Sequence, residues 1–411
     1  MYKKRAGTAR LQKLAKTFPI VVVIGARQVG KSTLLRHIFG KKAEYVVFDP
    51  LIDIENARKD PELFLDNHRT PIILDEVQYV PGLVSAIKRK VDENRAPGQY
   101  LMTGSQQWGI LKSMAESLAG RAVFIHLENF SLMEIAEETK KKIWLSRYLE
   151  NPEKFVSSKL ERLKLSSGIY EQLWRGFFPE GQNIPLETVP DFYGSYIQTY
   201  IERDVRFFAD VSDIQTFRRF VQLVAALSAQ EVNYSELGRE LGITPQTSKR
   251  WLEILKATFQ WFEIPAFSRN AIKRLSNKPK GYFVDTGLIC NLHAISSPQA
   301  IGGHPLWGPL FETAVAAEIR KHSSFLALPP NIYHWRSHGG AEVDILLEKD
   351  GRYFPIEVKA STRPTRGDTL GIEFFRKTYP HLNIAPGLII SPAEKKIPLS
   401  EKNYALPWDS V

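Results

Sequence analysis

Val21-Val-Val-Ile-Gly-Ala-Arg-Gln-Val-Gly-Lys-Ser32 is the stretch on which the reading of this chain turns. Its first four residues, Val21 to Ile24, are β-branched and apolar, as in a short strand buried on both faces. Gly25 to Ser32 then fills the G-x-x-x-x-G-K-[ST] pattern without a gap. Thr33-Leu-Leu-Arg-His-Ile-Phe39 follows at helical spacing and stops at Gly40. The spacing has a chemical reason. Two glycines let a loop wrap closely enough for backbone N–H groups to reach phosphate oxygens, and the helix N-terminus adds partial positive charge. The expected phosphate-binding set is Gly25, Ala26, Arg27, Gln28, Val29, Gly30, Lys31, Ser32 and Thr33. Lys31 is expected to reach the β- and γ-phosphates, and Ser32 to bind Mg²⁺ through its hydroxyl. The stretch predicts a nucleoside triphosphate site.

Downstream, Pro71-Ile-Ile-Leu-Asp75-Glu76-Val-Gln78 reads as a strand closing in two acids. Asp75 is expected in the Mg²⁺ shell, and Glu76 to orient and deprotonate the attacking water. Tyr45-Val-Val-Phe-Asp49 predicts another strand. So does Gln99-Tyr-Leu-Met-Thr-Gly-Ser-Gln106, which places Ser105, or Thr103, where a polar group senses the γ-phosphate or holds the water. The guanine-reading pattern Asn-Lys-x-Asp is missing, since Asn277-Lys-Pro-Lys280 lacks the acid, so ATP is expected by elimination. Arg121 precedes a fifth strand, Val123–Leu127. In an ATPase ring such an arginine reaches a neighbour's γ-phosphate; the alternative is a solvated surface arginine.

Composition bounds the rest. A chain of 411 residues with 43% hydrophobic and 24% charged residues has the length for two to four domains with real cores. No apolar run approaches the roughly 18 residues of a membrane span, so no membrane partner is expected. The basic start Met1-Tyr-Lys-Lys-Arg5 has no apolar signal core behind it. Cys290 is the single cysteine, which excludes an internal disulfide and argues against a cysteine-based metal site. A cytoplasmic location is expected. The net charge of +10 favours a polyanion partner, nucleic acid first.

Residues 214–285 read as a winged helix. Phe217–Leu227 is its first helix, and Ser235 is expected to cap the second. Thr244 is expected to cap a third that starts with Pro245 and carries Gln246, Thr247, Lys249 and Arg250 outward while Trp251, Leu252 and Leu255 face in. From Arg239 to Lys280 there are nine Lys/Arg against three Asp/Glu, so the positive charge is localised. DNA binding through phosphates is the functional reading; a winged helix used only for protein packing is the other. Further on, Asp344 stands on one predicted strand, and Glu357-Val-Lys359 follows on the next after twelve intervening residues. That pattern looks like the PD-(D/E)XK nuclease fold, with Glu312 as its helix acid. Period-two geometry puts Glu357 and Lys359 on one strand face. Asp344 and Glu357 are then expected to share a divalent metal, with Lys359 beside it on a positively charged groove. A retained scaffold with structural acids is the alternative.

Seven strings resemble the AAA+ superfamily and, more closely, a bacterial and archaeal group that pairs an AAA-type domain with a C-terminal DUF4143 domain. Ile24–Ser32, Leu74–Gln78, Thr103-Gly-Ser105 and Ser117–Arg121 are the first four. The more specific ones are Arg175-Gly-Phe-Phe-Pro-Glu180, Tyr200-Ile-Glu-Arg-Asp204 and Tyr282-Phe-Val-Asp-Thr-Gly-Leu288. One departure is Phe177, where a second glycine is expected. The resemblance implies an α/β fold: a P-loop AAA+ core over 1–135, a helical lid over 136–213, a winged helix over 214–290 and an α/β nuclease-like domain over 300–411. It also implies ATP and Mg²⁺ as ligands and a homo-oligomeric ring such as a hexamer. Arg203, in the lid, is an alternative arginine for the ATP site, or else the partner of Asp204. The leading expectation is an oligomeric, ATP-hydrolysing motor or remodeller of DNA. The rivals are an ATP-dependent regulatory switch that recruits a protein, and an ATP-regulated metal-dependent nuclease.

Overall fold

The computed structural model describes residues 2–48, 54–105, 118–202, 213–269 and 277–410. Arg203, Asp204, Asp49 and Ser117 lie outside the described residues. The chain forms two compact units. One comprises Lys4–Asn129 with Leu255–Gln260; the other comprises residues 1–3, Phe130–Ile254 and Trp261–Val411. Apart from Leu255–Gln260, the residues expected as lid, winged helix and nuclease-like domain fall in the second unit.

The first unit is built on a five-stranded parallel sheet. Its strands are β1 (Ile20–Ile24), β2 (Glu44–Val47), β3 (Ile72–Asp75), β4 (Tyr100–Gly104) and β5 (Ala122–His126), in the order β2-β3-β4-β1-β5. Helices α1 (Thr8–Ala15), α2 (Lys31–Phe39) and α3 (Leu83–Glu93) pack around it. Ile20 to Val23 are all fully buried, which is why β1 is a continuous apolar run instead of an alternating one. On one face, Ile20, Val22, Ile72, Leu74 and Met102 pack with Leu83, Ile87 and Val91 of α3. Each such side chain contributes roughly 1.5–3 kcal/mol of burial. The parallel register pairs Ile24 with Gly104 and Leu74 with Met102, so the ends of β1, β4 and β3 meet at one edge. Gly25 is obligatory there. A Cβ on it would sit 2.0 Å from the Leu127 carbonyl oxygen, and its φ of 155° is closed to other residues.

In the second unit, helices α4 (Ile169–Arg175) and α5 (Val189–Tyr196) precede a segment of three helices and three short strands. These are α6 (Ile214–Ala226), β6 (Gln230–Glu231), α7 (Tyr234–Leu241), α8 (Pro245–Ala257), β7 (Trp261–Ile264) and β8 (Lys280–Phe283). The strands form an antiparallel sheet in the order β6-β8-β7. Trp251 of α8 packs edge-on against Phe217 and Phe220 of α6, at centroid distances of 5.3 and 5.4 Å. The second helix is capped by Asn233, whose side chain accepts from the Glu236 N–H, and not by Ser235. At α8 the Thr247 N–H donates to Thr244 Oγ1 at 3.1 Å, a side-chain cap ahead of Pro245.

After α9 (Thr286–Leu292) and α10 (Trp307–Phe325), β9 (Asn331–Arg336), β10 (Glu342–Lys349) and β11 (Arg352–Val358) form an antiparallel meander. Strand β12 (Asn383–Ile384) pairs with β11. Before it, between β11 and β12, lies α11 (Leu370–Thr378), and after it comes β13 (Gly387–Ser391), which runs parallel to β11. β14 (Ile397–Pro398) and β15 (Asn403–Pro407) complete a mixed sheet in the order β14-β15-β13-β11-β10-β9. The β9–β10 register shifts between Val343 and Leu346, around Asp344. Among the described residues no helix is long and apolar enough to cross a membrane.

Two of the three more specific strings, Arg175–Glu180 and Tyr282–Leu288, meet at one buried carboxylate. Asp285 caps α9 by accepting from the Gly287 N–H at 2.9 Å. It also accepts from the Phe177 N–H at 2.7 Å and from the Tyr193 hydroxyl at 2.7 Å. Gly176 must be glycine because a Cβ would lie 2.0 Å from the Tyr193 hydroxyl, at a φ of 70°. Phe177, the departure from the expected glycine, is buried under the Lys321 ammonium, 4.1 Å from its ring centroid. Asp285→Ala would leave those three donors without this acceptor. The variant is expected to lose about 3 kcal/mol of stability, read as a lower denaturant midpoint, with Asp285→Asn intermediate.

Candidate functional site

At the shared strand edge of the first unit, the loop after β1 hands Lys31 and Ser32 to the first turn of α2. Lys31 is buried, and its Nζ donates to the carbonyls of Gly25 at 3.0 Å and Ala26 at 2.8 Å. Burial pulls its pKa down, while Glu76 and Asp75 pull in the opposite direction. Its hydrogen bonds are to neutral carbonyls, so no ion pair has to break for it to reach a phosphate.

Asp75, ending β3, is the common acceptor. Ser32 Oγ donates to its Oδ1 at 2.7 Å, the Tyr45 hydroxyl to its Oδ2 at 2.6 Å, and Thr103 Oγ1 to Oδ1. A hydroxyl and a carboxylate already in contact are the hard oxygen donors that Mg²⁺ takes, directly or through water, so these residues fit the ion. The next residue, Glu76, has a left-handed backbone with φ 57°. That conformation points its chain onward into a second network. Its N–H donates to Thr103 Oγ1 at 2.9 Å, and its Oε2 accepts from Ser105 Oγ at 2.9 Å and from Gln78 Nε2. Gln78 Nε2 also donates to Ser105 Oγ at 3.0 Å.

Ser105 and Thr103, alternatives in the sequence, therefore hold different acids: Thr103 holds Asp75 and Ser105 holds Glu76. Tyr45 and Gln78 carry no signal of this role beyond their places at a strand start and in the Leu-Asp-Glu-Val-Gln string. Arg121 lies elsewhere. Its guanidinium makes a bidentate pair with Asp92, at 2.5 and 2.9 Å. Register pairs the neighbouring Ala122 with Ile20, at the far end of β1. With about 3.3 Å per strand residue, roughly 16 Å of strand separates Arg121 from the phosphate loop of its own chain. Arg121 therefore stands toward the opposite end of β1 from the phosphate loop of its own chain.

In the second unit, Gln246, Lys249 and Arg250 are exposed on α8 and Thr247 is half-buried, while Trp251, Leu252 and Leu255 are buried. The basic count behind this region needs one correction. Lys280 is buried and serves no outer face.

The C-terminal acids also depart from expectation. Lys280 Nζ lies 2.6 Å from Glu312 Oε1 and 2.9 Å from Asp344 Oδ1. Asp344 Oδ2 accepts from the Val358 N–H at 2.9 Å, and the Tyr282 hydroxyl donates to Glu312 Oε1 at 2.8 Å. One step beyond the Ile345–Ile356 pair, Glu357 lies opposite Asp344 but pairs with Lys359 at 2.8 Å. Same-face geometry for Glu357 and Lys359 is thus realised. Burial alone would lower the Lys280 pKa, but Asp344 and Glu312 raise it. Burial, reinforced by Asp344, raises that of Glu357 against the pull of Lys359. Among the described residues no group of three His, Cys, Asp or Glu side chains is arranged to hold a metal ion. Asp344 Oδ1 and Oδ2 and Glu357 Oε1 are thus engaged by protein donors, while Glu357 Oε2 is buried with no hydrogen-bond partner. The adjoining cleft, about 440 Å³, is not positively charged either: Glu342, Glu357, Asp368 and Glu373 line it against Lys359 and Lys377.

Residues 17–136 match the family model described as an AAA domain. Residues 167–299 and 307–411 match two domains of unknown function, DUF8612 and DUF4143. An uncharacterized protein of Mycobacterium tuberculosis is 27% identical over 412 residues, spanning 100% of this chain and 85% of the relative; one from Mycobacterium bovis matches equally. Among solved structures, a Walker-type ATPase of Pyrococcus abyssi is similar at 15% identity over 71% of this chain and 96% of that one, with a TM-score of 0.44. The Thermotoga maritima RuvB Holliday junction branch migration motor is similar at 14% identity over 67% and 95%, with a TM-score of 0.32.

The site geometry has kinetic consequences. Lys31→Ala is expected to abolish tight ATP binding. Glu76→Gln should bind ATP yet turn it over roughly 10²–10⁴-fold more slowly, the usual worth of a positioned base. Ser105→Ala and Gln78→Ala should each cost about tenfold in kcat, one hydrogen bond's worth, with little change in KM. Steady-state ATPase assays decide. Near wild-type turnover in Glu76→Gln would remove it as the base.

Proposed function

We propose that this chain, which carries an AAA-type ATP-binding ATPase domain ahead of a DUF4143 domain, couples ATP hydrolysis to movement or remodelling of DNA as a homo-oligomer. In this reading Lys31 neutralises the β- and γ-phosphates, Ser32 and Asp75 hold Mg²⁺, and Glu76, aimed by Ser105 and Gln78, activates the water. Arg121, remote from its own phosphate loop, serves the neighbouring subunit by leaving Asp92.

The observation that carries the DNA half is α8. It exposes Gln246, Lys249 and Arg250 along one face, in a helix-strand-helix-helix-strand-strand order that matches a winged helix. Lysine and arginine there would meet phosphates, and Gln246 and Thr247 would reach base edges or backbone. The α-β-β-β-α-β-β order from α10 to β13 supports a nuclease-like ancestry for the C-terminal part. Its acid-lined cleft favours DNA contact at α8 over DNA contact at the cleft.

ATPase rates with and without single-stranded, duplex and branched DNA test the proposal. Stimulation by at least one form is expected. Lys249→Glu/Arg250→Glu should weaken DNA binding at least tenfold and flatten its salt dependence by about two units of slope. A slow rate indifferent to every DNA would favour the switch that recruits a protein. For the oligomer, Arg121→Ala alone should be inactive, and mixing it with Lys31→Ala subunits should restore some activity. Hybrid interfaces keep one intact pair of groups. Absence of rescue in an assembled mixture would argue for a cis role or for Arg203 instead.

A further inference from the structure

The Glu312–Asp344 pair sits where a nuclease-like sheet would gather a divalent ion, yet a side chain from another part of the chain occupies the space between the two carboxylates. Lys280 arrives from β8, the central strand of the three-stranded sheet, where its backbone is paired with Glu231 on one side and Ile264 on the other. Its ammonium is 2.6 Å from Glu312 Oε1 and 2.9 Å from Asp344 Oδ1, and the residue is 8% exposed. Asp344 Oδ2 also accepts from the Val358 N–H, and Glu312 Oε1 also accepts from the Tyr282 hydroxyl. Mg²⁺ would need oxygens at about 2.0–2.1 Å, inside the volume that Nζ fills. Two cations cannot share it.

We propose that Lys280 is the resident cation of the Glu312–Asp344 cluster, and that these acids take a divalent metal only when Lys280 is removed. The triad then does structural work. It clamps β8 to α10 and β10, beside the bonds from the Phe267 N–H to the His334 carbonyl at 2.6 Å and from the His334 N–H to the Pro265 carbonyl at 3.0 Å. An ammonium neutralises one carboxylate charge but has no open coordination position, so it cannot ligate and ionise a water as a metal does. Glu357, paired with Lys359, is left as a lone acid on the cleft side. This inference is independent of the ATPase and DNA readings.

The test counts Mn²⁺ bound per chain on the full-length protein by electron paramagnetic resonance, so that any ion at the phosphate loop cancels between variants. Wild type and Asp344→Asn should bind the same number of ions. Lys280→Met should bind one more, and Lys280→Met/Asp344→Asn should lose it again. Mn²⁺ should also raise the Tm of Lys280→Met by several degrees more than that of wild type, because two buried carboxylates would otherwise face each other uncompensated. An Asp344-dependent ion in the wild-type protein overturns the proposal. So does a folded Lys280→Met that gains none. If Lys280→Met does not fold, the comparison of wild type with Asp344→Asn decides alone.

Discussion

Asp75 is the acceptor on which the nucleotide edge of this molecule depends. Three hydroxyls, from Ser32 after the loop, Tyr45 at the start of β2 and Thr103 near the end of β4, converge on one carboxylate. Those donors come from three elements that only a parallel sheet brings to the same edge. A carboxylate surrounded by hydroxyls is held in place without a salt bridge, and its oxygens are the hard donors that a divalent metal would take. Glu76 follows in the left-handed region, so consecutive acids point into different networks and can hold different duties.

The second unit uses buried charge differently. Asp285 is spent entirely on backbone and tyrosine donors, joining α9, α5 and the loop after α4. Lys280 is spent on two acids from separate elements. In each case desolvation makes an unpaired partner costly, so the groups that meet are held in one arrangement. This explains why strings far apart in the chain, Arg175–Glu180 and Tyr282–Leu288, belong together: they build opposite sides of the same carboxylate.

Charge counting and charge placement part company here. Lys280 is the last of the nine basic residues between Arg239 and Lys280, and by composition it strengthens a basic face. By packing it faces inward and leaves that face to groups such as Lys249, Arg250 and the exposed Lys278. The cap of α7 shows the same limit on a smaller scale. Ser235 and Asn233 are both good caps by type, and the entry path of the chain after β6 selects Asn233.

The amino-acid sequence by itself determined the phosphate loop, the strand that closes in Asp75 and Glu76, the five strands of the first sheet, the three helices between Phe217 and Leu255 and the strands that carry Asp344 and Glu357. Each of these is written in a run of neighbouring residues, where period, glycine placement and capping act over one or two turns of chain. Tertiary structure alone decided which groups share a carboxylate: Tyr45 with Asp75, Gln78 and Ser105 with Glu76, Asp92 with Arg121, and Lys280 with Glu312 and Asp344. The physical reason is that an ion pair is a property of distance and desolvation. Residues 64 positions apart, as Lys280 and Asp344 are, acquire both only when the sheets that carry them have packed.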